Sequence, residues 1–211
     1  MRLNTAGHLW RTGFVAVAGL VAALLAGCSG MSSHPPAPAS VSMSDYRYVI
    51  GPLDNVNVIV WRNPELSQSV PVRPDGRITT PLVDDLPASG RSPADLAREL
   101  EKALGKYIRD PVVTVIVTGF QGPYSEQIRI VGEAARPQAI PYRLDMSMLD
   151  VMIQVGGLTD FADGNRAVLV RGAEGGKQYT VRLRDLLRRG DISANVPVKP
   201  GDVLIIPQSW F

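Results

Sequence analysis

The chain contains a single cysteine, Cys28, so no disulfide within it can staple the fold. Whatever follows must be held by the burial of apolar surface. Just before Cys28, residues 14–26 are apolar. They follow a segment that carries Arg2 and Arg11 and no acid. A positive flank, a short apolar stretch and small residues at its end describe a secretory signal. The run falls short of the ~20 residues that a spanning helix needs. Residues 1–27 are therefore expected to be removed.

The remaining 28–211 suit one large domain or two small ones. With 45% hydrophobic and 20% charged residues, the composition is that of a globular chain, not a disordered one. The net charge is +2, and Arg2 and Arg11 leave with the signal, so the remainder sits near neutrality. That argues against a nucleic-acid partner, which needs a basic face. No later run is long and apolar enough for a membrane helix.

Leu25-Ala26-Gly27-Cys28 resembles a bacterial lipobox. The resemblance implies cleavage before Cys28, acylation of its thiol and amine, and anchoring to a bilayer through several acyl chains, since one alone binds only marginally. Ser29 stands where an Asp would favour retention in the inner membrane, so the same resemblance implies outer-membrane sorting. Residues 28–44, with Pro35, Pro36 and Pro38 among serines, read as a lipidated flexible tether.

A first domain is expected over residues 45–120. Residues 46–50 read as a short strand. Val56, Val58 and Val60 alternate with Asn55, Asn57 and Ile59, which predicts a strand with a buried face. Residues 69–73 and 78–81 read as strands joined through Pro74-Asp75-Gly76-Arg77, a tight turn favouring a hairpin. Ser92-Pro93-Ala94-Asp95 opens a helix: Ser92 caps, Pro93 suits the first position, and Leu96, Leu100 and Leu104 share a face. Gly105 ends it. The β-branched residues 112–118 predict a central strand.

These residues carry a resemblance. Tyr48-x-Ile50-Gly51-Pro52-x-Asp54, Val60-Trp61 with Pro64-Glu65-Leu66, and Val72-Arg73-Pro74-Asp75-Gly76-Arg77-Ile78-x-x-Pro81-Leu82 resemble the polysaccharide export domain. The Pro-led helix, Tyr107, Pro111 and the Val-Thr-Val strand complete the pattern in order. Leu53 stands where the family usually has Gly, and Asp84-Asp85 where a Gly-containing pair is common.

A second domain is expected over residues 125–211. Residues 127–131 read as a strand. Ser147 caps a short helix whose Leu149, Met152 and Ile153 share a face, ended by Gly156-Gly157. Residues 166–171 and 178–182 are strands around a glycine-rich turn. A helical turn or two follows at 183–187, and residues 203–206 form a buried last strand. Short helices on a small mixed sheet suggest a β-grasp. Val131-Gly132-Glu133, Gly156-Gly157-Leu158-Thr159, Val168-x-Val170-Arg171 and Pro200-Gly201-Asp202-Val203 resemble the soluble-ligand-binding β-grasp (SLBB) domain. Gln138 replaces a Gly often seen after Pro137. The expected fold class is α+β: a mixed-sheet export domain followed by one β-grasp domain.

No catalytic constellation is visible. His8 leaves with the signal and His34 lies in the tether, so Cys/His metal sites, cofactor ligation and thiol chemistry are not expected, and the chain is read as no enzyme. Asp84-Asp85 could flank a glycosidic bond, but adjacent acids on a loop read as solvated surface. Arg182, Arg184, Arg188 and Arg189 cluster at the last helix and could meet an acidic glycan or a neighbouring subunit; a solvated helix end favoured by the macrodipole is the plainer reading. Trp61 is read as core, with sugar stacking the alternative. Trp210 and Phe211 form a terminal aromatic pair suited to an interface or to burial.

The resemblance implies an outer-membrane lipoprotein facing the periplasm, part of a homo-oligomeric ring and a conduit for exopolysaccharide or capsule. Implied partners are the polymer, an inner-membrane co-polymerase or chain-length protein, and the bilayer through acylated Cys28. The chain stops at Phe211, after one β-grasp domain, and so resembles the short members found with exosortase-type systems. A separate outer-membrane channel is then expected. The alternative is a monomeric glycan-binding lipoprotein without a transport role.

Overall fold

A computed structural model describes residues 34–40 and 46–210. The expected signal segment, the acylation at Cys28 and the interface role of Phe211 lie outside them. No helix among the described residues is long and apolar enough to cross a membrane. The fold is α+β.

The first half runs β1 (Asn55–Val60), β2 (Gln68–Pro71), β3 (Arg77–Thr80), β4 (Val83–Pro87), α1 (Pro93–Leu104) and β5 (Val113–Gly119). β1 lies between β2 and β5 and is antiparallel to both, with Val58 opposite Gln68 on one side and Val115 on the other. The valine alternation of β1 points one way. Val56, Val58 and Val60 meet Leu96, Ala97, Leu100 and Leu104 of α1 in one buried core. α1 starts as expected: the Ser92 hydroxyl accepts the Asp95 N–H at 3.1 Å, and Pro93 takes the first turn. It stops at Leu104, with Gly105 still in a right-handed conformation.

Five expectations for this half are corrected. Residues 46–50 form no strand, because Ile50 exchanges its backbone hydrogen bonds with Gly90 and Arg91 at the foot of α1, at 2.8 Å each. β3 does not close a hairpin onto β2. It pairs with β4, a strand the sequence reading missed, in a separate two-stranded sheet. Asp84 and Asp85 therefore sit on a strand, exposed, and not on a loop. β5 is an edge, not a central strand: every second residue from Thr114 faces outward, so its β-branched run is half exposed. Trp61 is 66% exposed. It continues the β1 alternation onto the face opposite Val60, so the period that buries the valines expels the indole.

The second half runs β6 (Gln127–Gly132), β7 (Ala139–Pro141), α2 (Met148–Gln154), β8 (Ala167–Arg171), β9 (Lys177–Val181), α3 (Leu183–Arg189) and β10 (Val203–Ile206). The strands make one mixed sheet in the order β7-β6-β10-β8-β9. β10 enters the centre, parallel to β6 and antiparallel to β8. Ile128, Ile130, Leu169, Leu204 and Ile206 cover Met148, Met152, Leu183 and Leu186 of the two helices. Ser147 and Asp150 form a reciprocal capping box on α2. Its buried face is Met148, Val151, Met152 and Val155, a helical stripe, and Ile153 points to solvent, against expectation.

Residues read as tether also touch this sheet. Pro36 bridges Thr180 on the free edge of β9, where the Thr180 N–H donates to the Pro35 carbonyl at 2.8 Å. The contact covers part of an exposed strand edge.

Candidate functional site

Asp54 is fully buried between the two cores. Its Oδ2 accepts the Tyr48 hydroxyl and the Gly51 N–H, the latter at 2.8 Å. Its Oδ1 accepts the N–H groups of Gln121 and Gly122 at 2.7 and 2.8 Å. One carboxylate thus fastens the turn before β1 to the segment that leaves β5 for β6. Burial, with the Asp54 hydrogen bond second, pushes the Tyr48 phenol far above its ordinary range. The approach is so close that a Cβ on Gly51 would stand 2.1 Å from the Gly122 carbonyl carbon. The motif around Asp54 was legible; its role across the junction was not.

Two positions where the resembled family favours Gly carry strained backbone. Leu53 has φ +69° and Asp85 φ +53°, both in the left-handed region. Asp85 is held there by an ion pair to Arg73.

A buried charge pair organises the other end of the second sheet. Arg171 closes β8 with its side chain fully buried. Its Nη2 donates to the Pro197 carbonyl at 2.8 Å, its Nε lies 3.6 Å from the buried Asp202 carboxylate, and its guanidinium rests 5.4 Å from the Tyr179 ring centre. Asp202 accepts the Lys199 N–H at 2.8 Å. Glu174 accepts Lys199 Nζ at 2.7 Å and the Tyr179 hydroxyl at 2.6 Å. Burial pushes the Asp202 carboxyl up to about 6, although the Lys199 N–H and Arg171 pull the other way. The Lys199 and Tyr179 hydrogen bonds hold Glu174 down at about 2. Arg171 and Asp202 stood in separate motifs, and their pairing needs the β8–β10 register.

Arg182, just before α3, and the arginines of α3 are brought together, each with a partner in the chain. Arg182 binds Asp191 at 2.9 Å and Asp185 at 3.2 Å, and Arg189 binds Asp185 at 3.1 Å. Arg184 donates to the Ala162 carbonyl at 2.8 Å, and Arg188 lies 3.5 Å from Asp160. Arg184, Arg188 and Arg189 line a shallow groove of about 340 Å³ with Thr159 and Asp160. The chain end runs antiparallel beside it: the Asp163 N–H donates to the Pro207 carbonyl at 2.9 Å and the Ser209 N–H to the Phe161 carbonyl at 2.6 Å. Trp210 follows, 80% exposed, on the same flank as exposed Phe161. Among the described residues, no group of three or more His, Cys, Asp or Glu is arranged to hold a metal ion.

Two family models match this chain in succession. Residues 42–118 match "Polysaccharide biosynthesis/export protein" and residues 127–182 match "SLBB domain". The chain is 26% identical over 187 aligned residues to the EPS I polysaccharide export outer membrane protein EpsA of Ralstonia nicotianae, covering 76% of this chain and 47% of that protein. It is 28% identical over 174 aligned residues to the exopolysaccharide production protein ExoF of Rhizobium meliloti, covering 75% and 40%. The chain spans about half the length, or less, of the curated relatives it matches. With both models matched in order on the two cores that Asp54 joins, this chain belongs to the polysaccharide export protein family.

Proposed function

We propose that the protein is an outer-membrane component of exopolysaccharide or capsule export, acting in transport and not as an enzyme. The observation that carries this reading is the succession of the export model and the SLBB model along one chain. The relatives named as an export outer membrane protein and an exopolysaccharide production protein support it. In this reading Cys28 is acylated, the folded part faces the periplasm, and copies assemble into a ring. The polymer, an inner-membrane co-polymerase and a separate outer-membrane channel are its partners. The exposed flank of Trp210 and Phe161, beside the Arg184–Arg188 groove, is the surface offered to a neighbouring copy or the channel.

The test is genetic. Deleting the gene should abolish surface polysaccharide while polymer units continue to be made inside the cell, and the wild-type gene should restore it. Unchanged surface polysaccharide after deletion would refute the reading. A protein that stays monomeric in native mass spectrometry of its detergent-solubilised form, and still binds glycan, would favour a tethering lipoprotein.

A further inference from the structure

The turn between the two cores opens onto a second concave surface that the groove at α3 does not include. Its walls are the single helical turn Tyr124–Glu126, the start of β6 at Arg129, the Gly172–Ala173 bend after β8, and the Lys199–Gly201 turn before β10. Its volume is about 610 Å³, within the range of roughly 300–1,000 Å³ for small-ligand sites. The walls are fixed. A Cβ on Gly201 would stand 2.9 Å from the Ser125 carbonyl oxygen, so one turn packs directly on the other. The Lys199 turn is tied from below by Asp202 and Glu174.

The lining separates by what each group is already doing. Lys199 Nζ is engaged by Glu174 at 2.7 Å. Glu126 keeps one carboxylate oxygen buried and without a hydrogen-bond partner among the described residues, and its charge, second to burial, helps to push the Tyr46 phenol up. Arg129 is exposed, and no side-chain hydrogen bond or ion pair forms to it among the described residues. Its backbone is held firmly, its N–H donating to the Asp202 carbonyl at 3.0 Å and its strand paired with both β7 and β10. Tyr124 presents its ring 77% exposed at the rim. A guanidinium with no partner among the described residues, carried on a rigid strand, suits bidentate pairing with a carboxylate. An exposed aromatic face beside it suits a flat apolar surface with a polar edge.

We infer that this cleft binds a short stretch of acidic polysaccharide, one sugar ring lying on Tyr124 and its carboxylate on Arg129. The inference rests on the export reading for the identity of the polymer, and makes this chain a direct reader of the sugar's charge.

Full-length protein in detergent is titrated with an oligogalacturonate and with maltotetraose as the neutral probe, and binding is followed by calorimetry and by backbone amide shifts. The acidic probe should bind, more weakly as salt rises, and shift the amides of Gly172, Ala173 and Gly201. Tyr124→Ala and Arg129→Ala should each weaken it roughly tenfold, and Arg129→Ala should also erase the preference over maltotetraose. Both side chains are exposed, so the variants should keep the wild-type melting curve; the amide shifts of the unaltered protein locate the site independently of them. Equal binding of maltotetraose by wild type would overturn the charge assignment. Absence of binding, shifts confined to the α3 groove, or unaffected variants would overturn the site. None of these bears on the export reading, which stands or falls on surface polysaccharide after gene deletion.

Discussion

The Asp54 carboxylate accepts the Gly122 N–H at 2.8 Å across 68 residues of chain. It couples the start of one core to the entrance of the next. Three backbone N–H groups, those of Gly51 and Gly122 buried, and one phenol converge on it, so its removal leaves several donors without partners. Asp54→Ala should destabilise the protein by about 3 kcal/mol, since each unsatisfied buried donor costs about 1–3 kcal/mol. Urea unfolding of the variant beside the wild type measures this. A loss under ~0.5 kcal/mol would mean water replaces the carboxylate freely. Asp54→Asn should recover part of the loss, because the amide oxygen still accepts.

Backbone strain next to that carboxylate can be relieved. Leu53 is exposed and left-handed, at φ +69°. A non-glycine residue there costs roughly 1–2 kcal/mol, offset in part by the greater freedom of glycine in the unfolded chain. Leu53→Gly should therefore stabilise the fold by about 1 kcal/mol. Gly51→Ala, two residues earlier, should do the reverse and more, because its Cβ has no room against Gly122. Thermal melts of the two variants should move in opposite directions.

Local signals were legible and distant ones were not. Ser92, Pro93 and Asp95 announce α1, and Ser147 announces α2, because caps and proline act within one turn. The valines of β1 announce a buried face because the period of a strand is local. The order of strands is not local: β3 chose β4 over β2, and β5 took an edge, through pairings that no alternation encodes. Trp61 faces outward because the alternation that buries the β1 valines places it on the opposite face, whatever the size of its ring. At the candidate sites, the Arg184–Arg188 cluster was visible as a run of charge. The Arg129–Tyr124 cleft was invisible, since its walls come from four separated segments.

The buried pair of Arg171 and Asp202 gives stability a pH dependence of definite sign. The folded Asp202 carboxyl sits at about 6, above its ordinary value of 3.8, so the folded state holds this proton more tightly than the unfolded one. Between about 4 and 6, stability from this group falls as pH rises, by up to about 3 kcal/mol in all. Glu174 works the other way. Its carboxyl is held at about 2, so its contribution is present above the ordinary 4.5 and lost as pH falls from there. Urea midpoints should rise on acidification from pH 7 toward 5 and fall below about 4.5. Asp202→Asn should flatten the rise and leave the acid loss. A wild-type midpoint that falls steadily from pH 7 would contradict the assignment.

Cys28 tests the anchoring proposal apart from the fold. The lipobox-like Leu25-Ala26-Gly27-Cys28 predicts a mature N-terminus at Cys28 carrying acyl chains, which mass spectrometry of the membrane-bound protein reads directly. Cys28→Ala should leave precursor uncleaved and reduce surface polysaccharide. A chain begun near residue 34, which keeps the cores over Ile50–Val115 and Ile128–Ile206 and the bridge to β9, should unfold cooperatively in urea. Mature protein with Met1 intact would sink the lipidation claim.

Trp210 separates interface from core at the other end. A tryptophan 80% exposed contributes little to the stability of its own chain, yet an exposed aromatic is a common anchor for a partner. Its position is defined by the hydrogen bond from the Ser209 N–H to Phe161 at 2.6 Å, which holds it on the flank of the α3 groove. Trp210→Ala should change the urea midpoint by less than the equivalent of ~0.5 kcal/mol and lower the fraction of oligomer, or of complex with a co-purified channel, in native mass spectrometry. Phe161→Ala should act in the same direction, because the two rings belong to neighbouring chain segments on one flank. Assembly unchanged in both variants would remove this flank from the interface. Assembly lost with Trp210→Ala and restored by Trp210→Phe would assign the effect to a buried aromatic contact, because phenylalanine keeps an apolar ring and lacks the indole N–H.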